Sequence, residues 1–398
     1  MGFRLTQAII VAGLVASGIV VGSCAPAPRN DAWALVGRLP DPDGHRRTGR
    51  RVSSEGDVMA ISADGSRLLC HYGSVTRLDA GLTRLWDVDG GVPVVDVPTV
   101  GLWPRVALTG EGCLLVAMAQ SGLVVVYNTN TGEVARRFHT APKPAPMLHV
   151  NGRLPWIVVA TENSVLQVWA ADRGILEHEL AAGVTPFWAP SLSLDGSRVA
   201  FAYMVRPQEG RRGRTGLHVW DLATDGVEGV ETPYLGPSLS PDGQHMLSGA
   251  PLADPPGPPL LWDLDRLDAA SAYRPSNDSR KDLPKVAQWL RDGRFLGRDA
   301  DGRVAIWEPS RPRRLRTLPE RSRSPFIEIG ERDTRLLTYD WVARIGRVWD
   351  IETGRELETL PVDPPLPIIP SAAYSDDGST IAFARPDREI EVWRALRP

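Results

Sequence analysis

Residues 347–360 read R-V-W-D-I-E-T-G-R-E-L-E-T-L, which is a strand, a tight turn and a second strand. Val348 and Ile351 flank an aromatic, and Asp350-Ile-Glu-Thr-Gly354 carries turn chemistry with a glycine suited to positive φ. Leu357 and Leu360 then resume the apolar run. Alone, this is a hairpin. Its weight comes from recurrence.

Aligning on its aromatic gives Trp86, Tyr127, Trp169, Trp220, Trp262, Trp307, Trp349 and Trp393, separated by 41, 42, 51, 42, 45, 42 and 44 residues. Upstream of most of them lies a polar-x-acidic-Gly turn. The copies are Ser62-Ala-Asp-Gly65, Thr109-Gly-Glu-Gly112, Ser193-Leu-Asp-Gly196, Ser240-Pro-Asp-Gly243 and Ser375-Asp-Asp-Gly378, with Leu290-Arg-Asp-Gly293 keeping only Asp-Gly. Asn151-Gly-Arg-Leu154 and Gly330-Glu-Arg-Asp333 are degraded copies. Each unit reads as four short strands between Gly, Pro and Asp clusters. Four antiparallel strands every 40 to 45 residues predict an all-β, eight-bladed β-propeller. The composition agrees, because 38 Gly and 35 Pro favour turns over long helices, and a reused position explains 13 Trp against 7 Phe.

Trp86-Asp87, Trp220-Asp221, Trp262-Asp263 and Trp349-Asp350, with the Ser-x-Asp-Gly turns, make residues 33–398 resemble the WD-repeat (WD40) family. That resemblance implies four-stranded blades and a protein-interaction scaffold. The family's Gly-His pair before the inner strand is absent, so its buried hydrogen-bond tetrad is incomplete and some blades should be held by apolar stacking. Only seven outer strands follow an aromatic, because the chain stops five residues after Trp393. Ala32-Trp-Ala-Leu-Val-Gly-Arg-Leu39 can supply the eighth by pairing with residues 390–394, which removes an open sheet edge.

The first 24 residues stand apart. Arg4 precedes the nearly unbroken apolar run Leu5–Gly22, followed by Ser23-Cys24, the layout of an export signal. It resembles a bacterial lipobox, which implies lipidation at Cys24. Plain secretion and an uncleaved anchor helix are the other two readings, and all three put the body outside the cytoplasm. Residues 25–31 are a tether and 32–398 the propeller. Cys70 and Cys113 fall at different places in the repeat, which reads as two buried small hydrophobes rather than a disulfide.

Function should lie where the repeat is interrupted. Unit four carries an insertion around Tyr203–Gly216 with Arg206, Arg211, Arg212 and Arg214, and unit five carries Pro251–Pro259 in the equivalent place. In WD repeats these loops share one face. That face would also collect Arg321, Arg323, Trp341 and Arg344, together with Arg46, Arg47, Arg50 and Arg51. Arg and Trp are the residues that most often carry interface energy, so these mark a protein-binding face, with the Asp-Gly and Trp-Asp turns making the other face acidic. The net charge of −3 from 45 Lys plus Arg and 48 Asp plus Glu argues against nucleic acid as a partner.

For an enzyme, the inner-strand column Ala60, Ala107, His149, Ser191, Ser238, Gln288, Glu328 and Ala373 would line a central channel. Only His149 and Glu328 there are ionisable near neutrality, and they lie four blades apart. The chain has no His-rich ligand spacing and no nucleophile elbow, so neither metal nor cofactor is expected. Asp350-Ile-Glu-Thr-Gly354 also resembles the turn of eight-bladed quinone-dependent dehydrogenases, but Phe138 and Leu360 stand where that family places a docking Trp.

Overall fold

The computed structural model describes residues 33–40, 56–72, 80–100, 106–109, 112–119, 121–140, 144–151, 153–161, 164–186, 190–205, 214–234, 236–249, 260–267, 287–298, 303–309, 313–319, 327–330, 333–340, 345–361, 372–384 and 389–396. They form eight separate antiparallel sheets, numbered here as blades one to eight along the chain. Blade seven contains the opening hairpin: Ile327–Gly330, Arg335–Asp340, Ile345–Asp350 and Glu356–Pro361 pair in that order. Blade four splits its inner strand into Thr185–Pro186 and Ser191–Leu192, both on Arg198–Val205. Blade five shows three strands among the described residues.

The aromatic column holds in register. Trp86, Tyr127, Trp169, Trp220, Trp262, Trp307, Trp349 and Trp393 all sit on third strands, opposite Leu68, Leu115, Ile157, Val199, Met246, Phe295, Leu336 and Ile381 of the second strands. At the aromatics of blades one, two, three, six and seven, the pairing with the outer strand slips by one residue, which is a β-bulge that bends and twists the strand.

Eight apolar clusters stitch neighbouring sheets together. In chain order they join blade one to two through Leu85 and Leu115, two to three through Val126 and Ile157, and three to four through Val168 and Trp220. They continue from four to five through Leu217 and Trp262, five to six through Leu261 and Phe295, six to seven through Ile306 and Trp349, and seven to eight through Val348 and Phe383. The last cluster packs Leu68 and Trp86 of blade one on Ala382 and Val392 of blade eight. Each blade therefore covers both sheet faces with its neighbours, and the ring is closed.

Closure is completed by Trp33–Leu39, which pairs antiparallel with Ile390–Ala395 from Trp33↔Ala395 to Leu39↔Ile390. It even reproduces the bulge, with the register shifting between Leu35 and Gly37 beside Trp393. The N-terminal strand is thus the outer strand of blade eight, as the count of strands predicts.

The inner turns show why Ser-x-Asp-Gly recurs. Ser62 Oγ donates to Asp64 Oδ1 at 2.6 Å, Ser66 N donates to the same oxygen at 3.0 Å, and Arg67 N donates to Ser62 Oγ at 2.9 Å. Ser193, Ser240 and Ser375 repeat the motif with Asp195, Asp242 and Asp377. Gly65 takes φ +68, and a Cβ there would lie 2.3 Å from Thr380 Oγ1 of blade eight, so glycine is required by both backbone and space. Turn-to-turn bonds continue around the ring, as in Asp377 N to Ala63 O at 2.8 Å and Asp195 N to Pro241 O at 3.0 Å.

The Trp-Asp aspartate has a structural role. Asp87 accepts from Gly90 N at 2.7 Å and from Arg67 Nη1 at 2.8 Å, and Asp221 accepts from Ala223 N, Thr224 N and Arg198 in the same way. It caps the third-to-outer turn and ties it to the second strand. Part of the expected tetrad also survives, since Trp262 Nε1 donates to Ser248 Oγ at 2.8 Å and Trp349 Nε1 to Thr338 Oγ1 at 2.9 Å. Trp307 and Trp393 find no acceptor for their buried Nε1 among the described residues. A net hydrogen bond contributes about 0.5–1.5 kcal/mol, while burying a large apolar side chain contributes about 1.5–3 kcal/mol. Apolar stacking therefore decides the register, as expected where the tetrad is broken.

Candidate partner-binding face

Antiparallel pairing places the inner turn of a blade, and the third-to-outer turn where the described residues include one, at one end of the sheet, here named the turn face. The second-to-third loops leave from the other end, the loop face. In blade four the pairing of Arg198–Val205 with Arg214–Asp221 runs without a break to Val205↔Arg214, so the first insertion is bracketed at the loop-face end of these two strands. In blade five the pairing ends at Ser248↔Leu260, which brackets the second insertion. These two blades share a core through Leu217, Val230, Met246 and Trp262. The bases of the two insertions therefore stand on adjacent blades, at the same face.

Arg214 is exposed and its Nη1 lies 2.6 Å from Glu231 Oε1 on the outer strand. Tyr203 closes the base from behind: its hydroxyl would be 2.5 Å from a Cβ at Gly216, and its ring centroid is 4.5 Å from that of His218. A glycine opposite Tyr203 lets the ring lie flat over the backbone. Burial raises the Tyr203 phenol, with Glu231 adding to the shift and Arg214 opposing it. Burial lowers the His218 imidazole, and its Nδ1 has no partner among the described residues. Both groups are held neutral at physiological pH, so the charge at this base comes from Arg214 and Glu231. The sequence pointed to Arg214 but not to Glu231, because their pairing depends on the strand register.

Arg206, Arg211, Arg212, Arg321, Arg323, Trp341 and Arg344 lie outside the described residues, as do Arg46, Arg47, Arg50, Arg51 and Cys24. The base of the loop holding Trp341 and Arg344 is described: it springs from Asp340↔Ile345 in blade seven.

The turn face is not simply acidic. Its aspartates are interleaved with arginines that bridge blades: Arg291 reaches Asp376, Arg294 reaches Glu352, and Arg394 Nη2 lies 2.6 Å from Asp89 Oδ1. Burial pushes the Asp64 and Asp195 carboxyls up, but the bonds from Ser62, Ser66, Ser193 and Ser197 outweigh it and hold both below the usual range. Burial raises Asp333, and the nearby Asp376 and Asp292 reinforce the shift. Expecting one sign per face overlooked the arginines that follow or sit within the same turns.

Cys113 corrects a second expectation. Cys70 is buried in blade one, but Cys113 is exposed, and the two are not joined. Cys113 follows Gly112 in the inner turn, and that turn position leaves it exposed.

The inner-strand column aligns as read from the sequence. Ala60, Ala107, His149, Ser191, Ser238, Gln288, Glu328 and Ala373 each pair with the equivalent second-strand residue. Burial pushes the His149 imidazole down to about 4, so it is neutral at physiological pH. His149 is in blade three and Glu328 in blade seven, and the Glu328 side chain lies outside the described residues. Among the described residues no three His, Cys, Asp or Glu side chains are grouped to hold a metal ion. No described helix is long and apolar enough to cross a membrane.

No protein-family model matches the chain, and no curated protein matches it. Among solved structures it is similar to one titled "Crystal structure of Myceliophteria_thermophila Cps50 (Swd1) beta-propeller domain". The identity is 13%, with a TM-score of 0.48 over 74% of this chain and 96% of that one. The eight-bladed architecture rests on this chain's own strand pairing and closed ring of cores.

Proposed function

We propose that this propeller is a non-enzymatic scaffold outside the cytoplasm, held to a membrane through its N-terminal segment and binding a protein partner on its loop face. The observation that carries the reading is the pair of insertions rooted on adjacent blades four and five, with exposed Arg214 at the base of the first. The closed ring of stacked blades fixes where the strands flanking both insertions stand, so the place of the binding face is set before a partner arrives. The nearly balanced charge of −3 fits recognition of a defined surface better than diffuse polyanion binding. Lipidation at Cys24 is the tether this reading favours.

Affinity capture from the native envelope tests the face, comparing the wild type with an Arg211→Ala/Arg212→Ala/Arg214→Ala variant. A partner that is retained by the wild type and lost by the variant supports the assignment. An identical captured set removes the blade-four loop from the interface.

A further inference from the structure

All nine large apolar side chains that remain exposed among the described residues fall on the turn-face rim. Leu35, Val36, Val92, Val134, Ile175, Leu176, Val227, Leu315 and Leu396 are 38–54% exposed. Except for Leu396, each lies at or near the turn-face end of an outer strand. Leu35, Val134, Leu176 and Val227 are equivalent, each paired with its blade's aromatic. Leu396 follows the third strand of blade eight at the same end. Apart from Leu315, they trace an arc over blades eight, one, two, three and four.

The fold does not demand this. Arg314 of blade six and Glu356 of blade seven hold the position opposite the aromatic, so a polar residue is compatible with the bulged register. Equivalent positions on a ring share one level, so the arc forms a shallow apolar edge lying in a plane rather than a groove shaped for a peptide.

The route of the chain indicates what covers it. Outer strands run from the turn face to the loop face, and Trp33 pairs with Ala395, whose N–H donates to Ser379 O in the inner turn of blade eight. The chain therefore joins the ring at the turn face, beside Leu35 and Leu396. Eight residues separate Cys24 from Trp33, a reach of about 30 Å at full extension. A six- or seven-residue strand is itself about 20–23 Å long. A tether of that length brings the turn face to the bilayer with slack, whereas seating the loop face would need it nearly straight along the blade.

We infer that the turn-face rim of blades eight and one to four rests on the lipid surface, with the arc dipping into the interface and the loop face turned outward. This rests on the membrane-tethered reading above. It deepens that reading by giving the disc an orientation that leaves the insertions of blades four and five accessible to a partner.

The test uses the full chain in phospholipid vesicles doped with nitroxide-labelled lipid. Cys113, exposed on the turn face in blade two, carries a fluorophore; the comparison carries it at Arg214→Cys in a Cys113→Ser background. Quenching of the turn-face label and not of the loop-face label is the expected result. A Val134→Asp/Ile175→Asp/Leu176→Asp variant should lose that quenching while keeping its melting temperature, since all three side chains are exposed. Equal quenching at both labels, or quenching that survives the triple variant, overturns the inference. So does label self-quenching without nitroxide lipid, which would mean a second copy covers the arc. Fractionation of Cys24→Ala reports separately on the tether: release from the membrane confirms lipidation, and a wild type that never sediments with membranes refutes the reading on which the orientation rests.

Discussion

Blades seven and eight are neighbours that share a core, a register and a bulge, yet they are completed differently. In blade seven the outer strand follows the third through a turn in which Asp350 accepts from Thr353 N and Oγ1 at 2.6 and 2.7 Å. In blade eight the outer strand arrives from the other end of the chain, and Arg394 stands where Asp350 would be, reaching across to Asp89 of blade one. Leu360 and Leu39 occupy equivalent places, opposite Gly346 and Ile390, and both are buried. A blade is therefore specified by the apolar residues it lays into its neighbours' cores, and covalent continuity of its outer strand is dispensable. What continuity provides is local insurance: a detached outer strand can leave without any turn to hold it.

The largest effect should come from that difference. Leu39→Ala and Leu360→Ala remove equivalent buried side chains, and each should cost about 2–5 kcal/mol in urea unfolding. Their consequences in the native state should diverge. Trp33–Leu39 has no turn joining it to its partner strand and is held by backbone pairing, by Trp33 edge-on to Tyr374 at 6.1 Å and by Arg38 Nη2 3.5 Å from Glu391 Oε1. Leu39→Ala should therefore speed amide exchange throughout Ile390–Ala395 by local detachment, while Leu360→Ala leaves exchange in Ile345–Asp350 close to wild type. Matching exchange in the two variants would show that the closing strand is held as firmly as a hairpin.

The same contrast explains what could be read from the sequence. The aromatic column, the Asp-Gly turns and the missing eighth outer strand were legible because each belongs to a unit that recurs eight times and the spacing itself is the signal. The inner-strand column with His149 and Glu328 followed from that alignment. Arg214–Glu231 was not legible, since the partners are 17 residues apart and meet only through the register of third and outer strands. Nor was the apolar arc: a valine such as Val134 or Val227 at a strand start looks like any buried strand residue until the sheet shows which ends are left bare. Cys113 misled for the same reason, because a turn residue after glycine looks small and apolar in sequence but stands exposed in the fold.

A smaller effect should follow from the acceptors of the two tryptophans. Trp349 donates to Thr338, whereas Phe383 holds the equivalent position in blade eight, two residues beyond Ile381, and Trp393 has no acceptor among the described residues. Thr338→Val should make blade seven resemble blade eight at this point. The substitution keeps the shape and leaves the indole N–H buried, at a cost of about 1–3 kcal/mol read from the urea midpoint. Ser248→Ala should act alike on Trp262, which donates to Ser248 Oγ at 2.8 Å. If both variants were as stable as the wild type, unpaired indoles would be neutral throughout the ring, and blade eight would lose nothing by lacking an acceptor.

The smallest effect concerns the charge on the turn that blade eight lacks. The hydroxyl and backbone N–H of Thr353 hold the Asp350 carboxyl below its ordinary value, burial opposes them, and Arg335 assists. A carboxyl with a folded pKa below the unfolded one contributes stability above the unfolded value of 3.8, and that contribution fades as pH falls through the folded value. Yet blade two builds the same turn on Asn128, whose Oδ1 accepts from Asn130 N at 2.8 Å and Thr131 N at 3.2 Å. The turn thus needs an acceptor, and the charge is an addition at an exposed site. Asp350→Asn should cost less than about 1 kcal/mol at neutral pH, and the gap to wild type should close in melts taken below pH 3.8. A gap that stayed constant with pH would mean that the carboxylate acts by shape alone. One that widened in acid would mean that the turn, like the arginine replacing it in blade eight, is governed by charges farther along the rim.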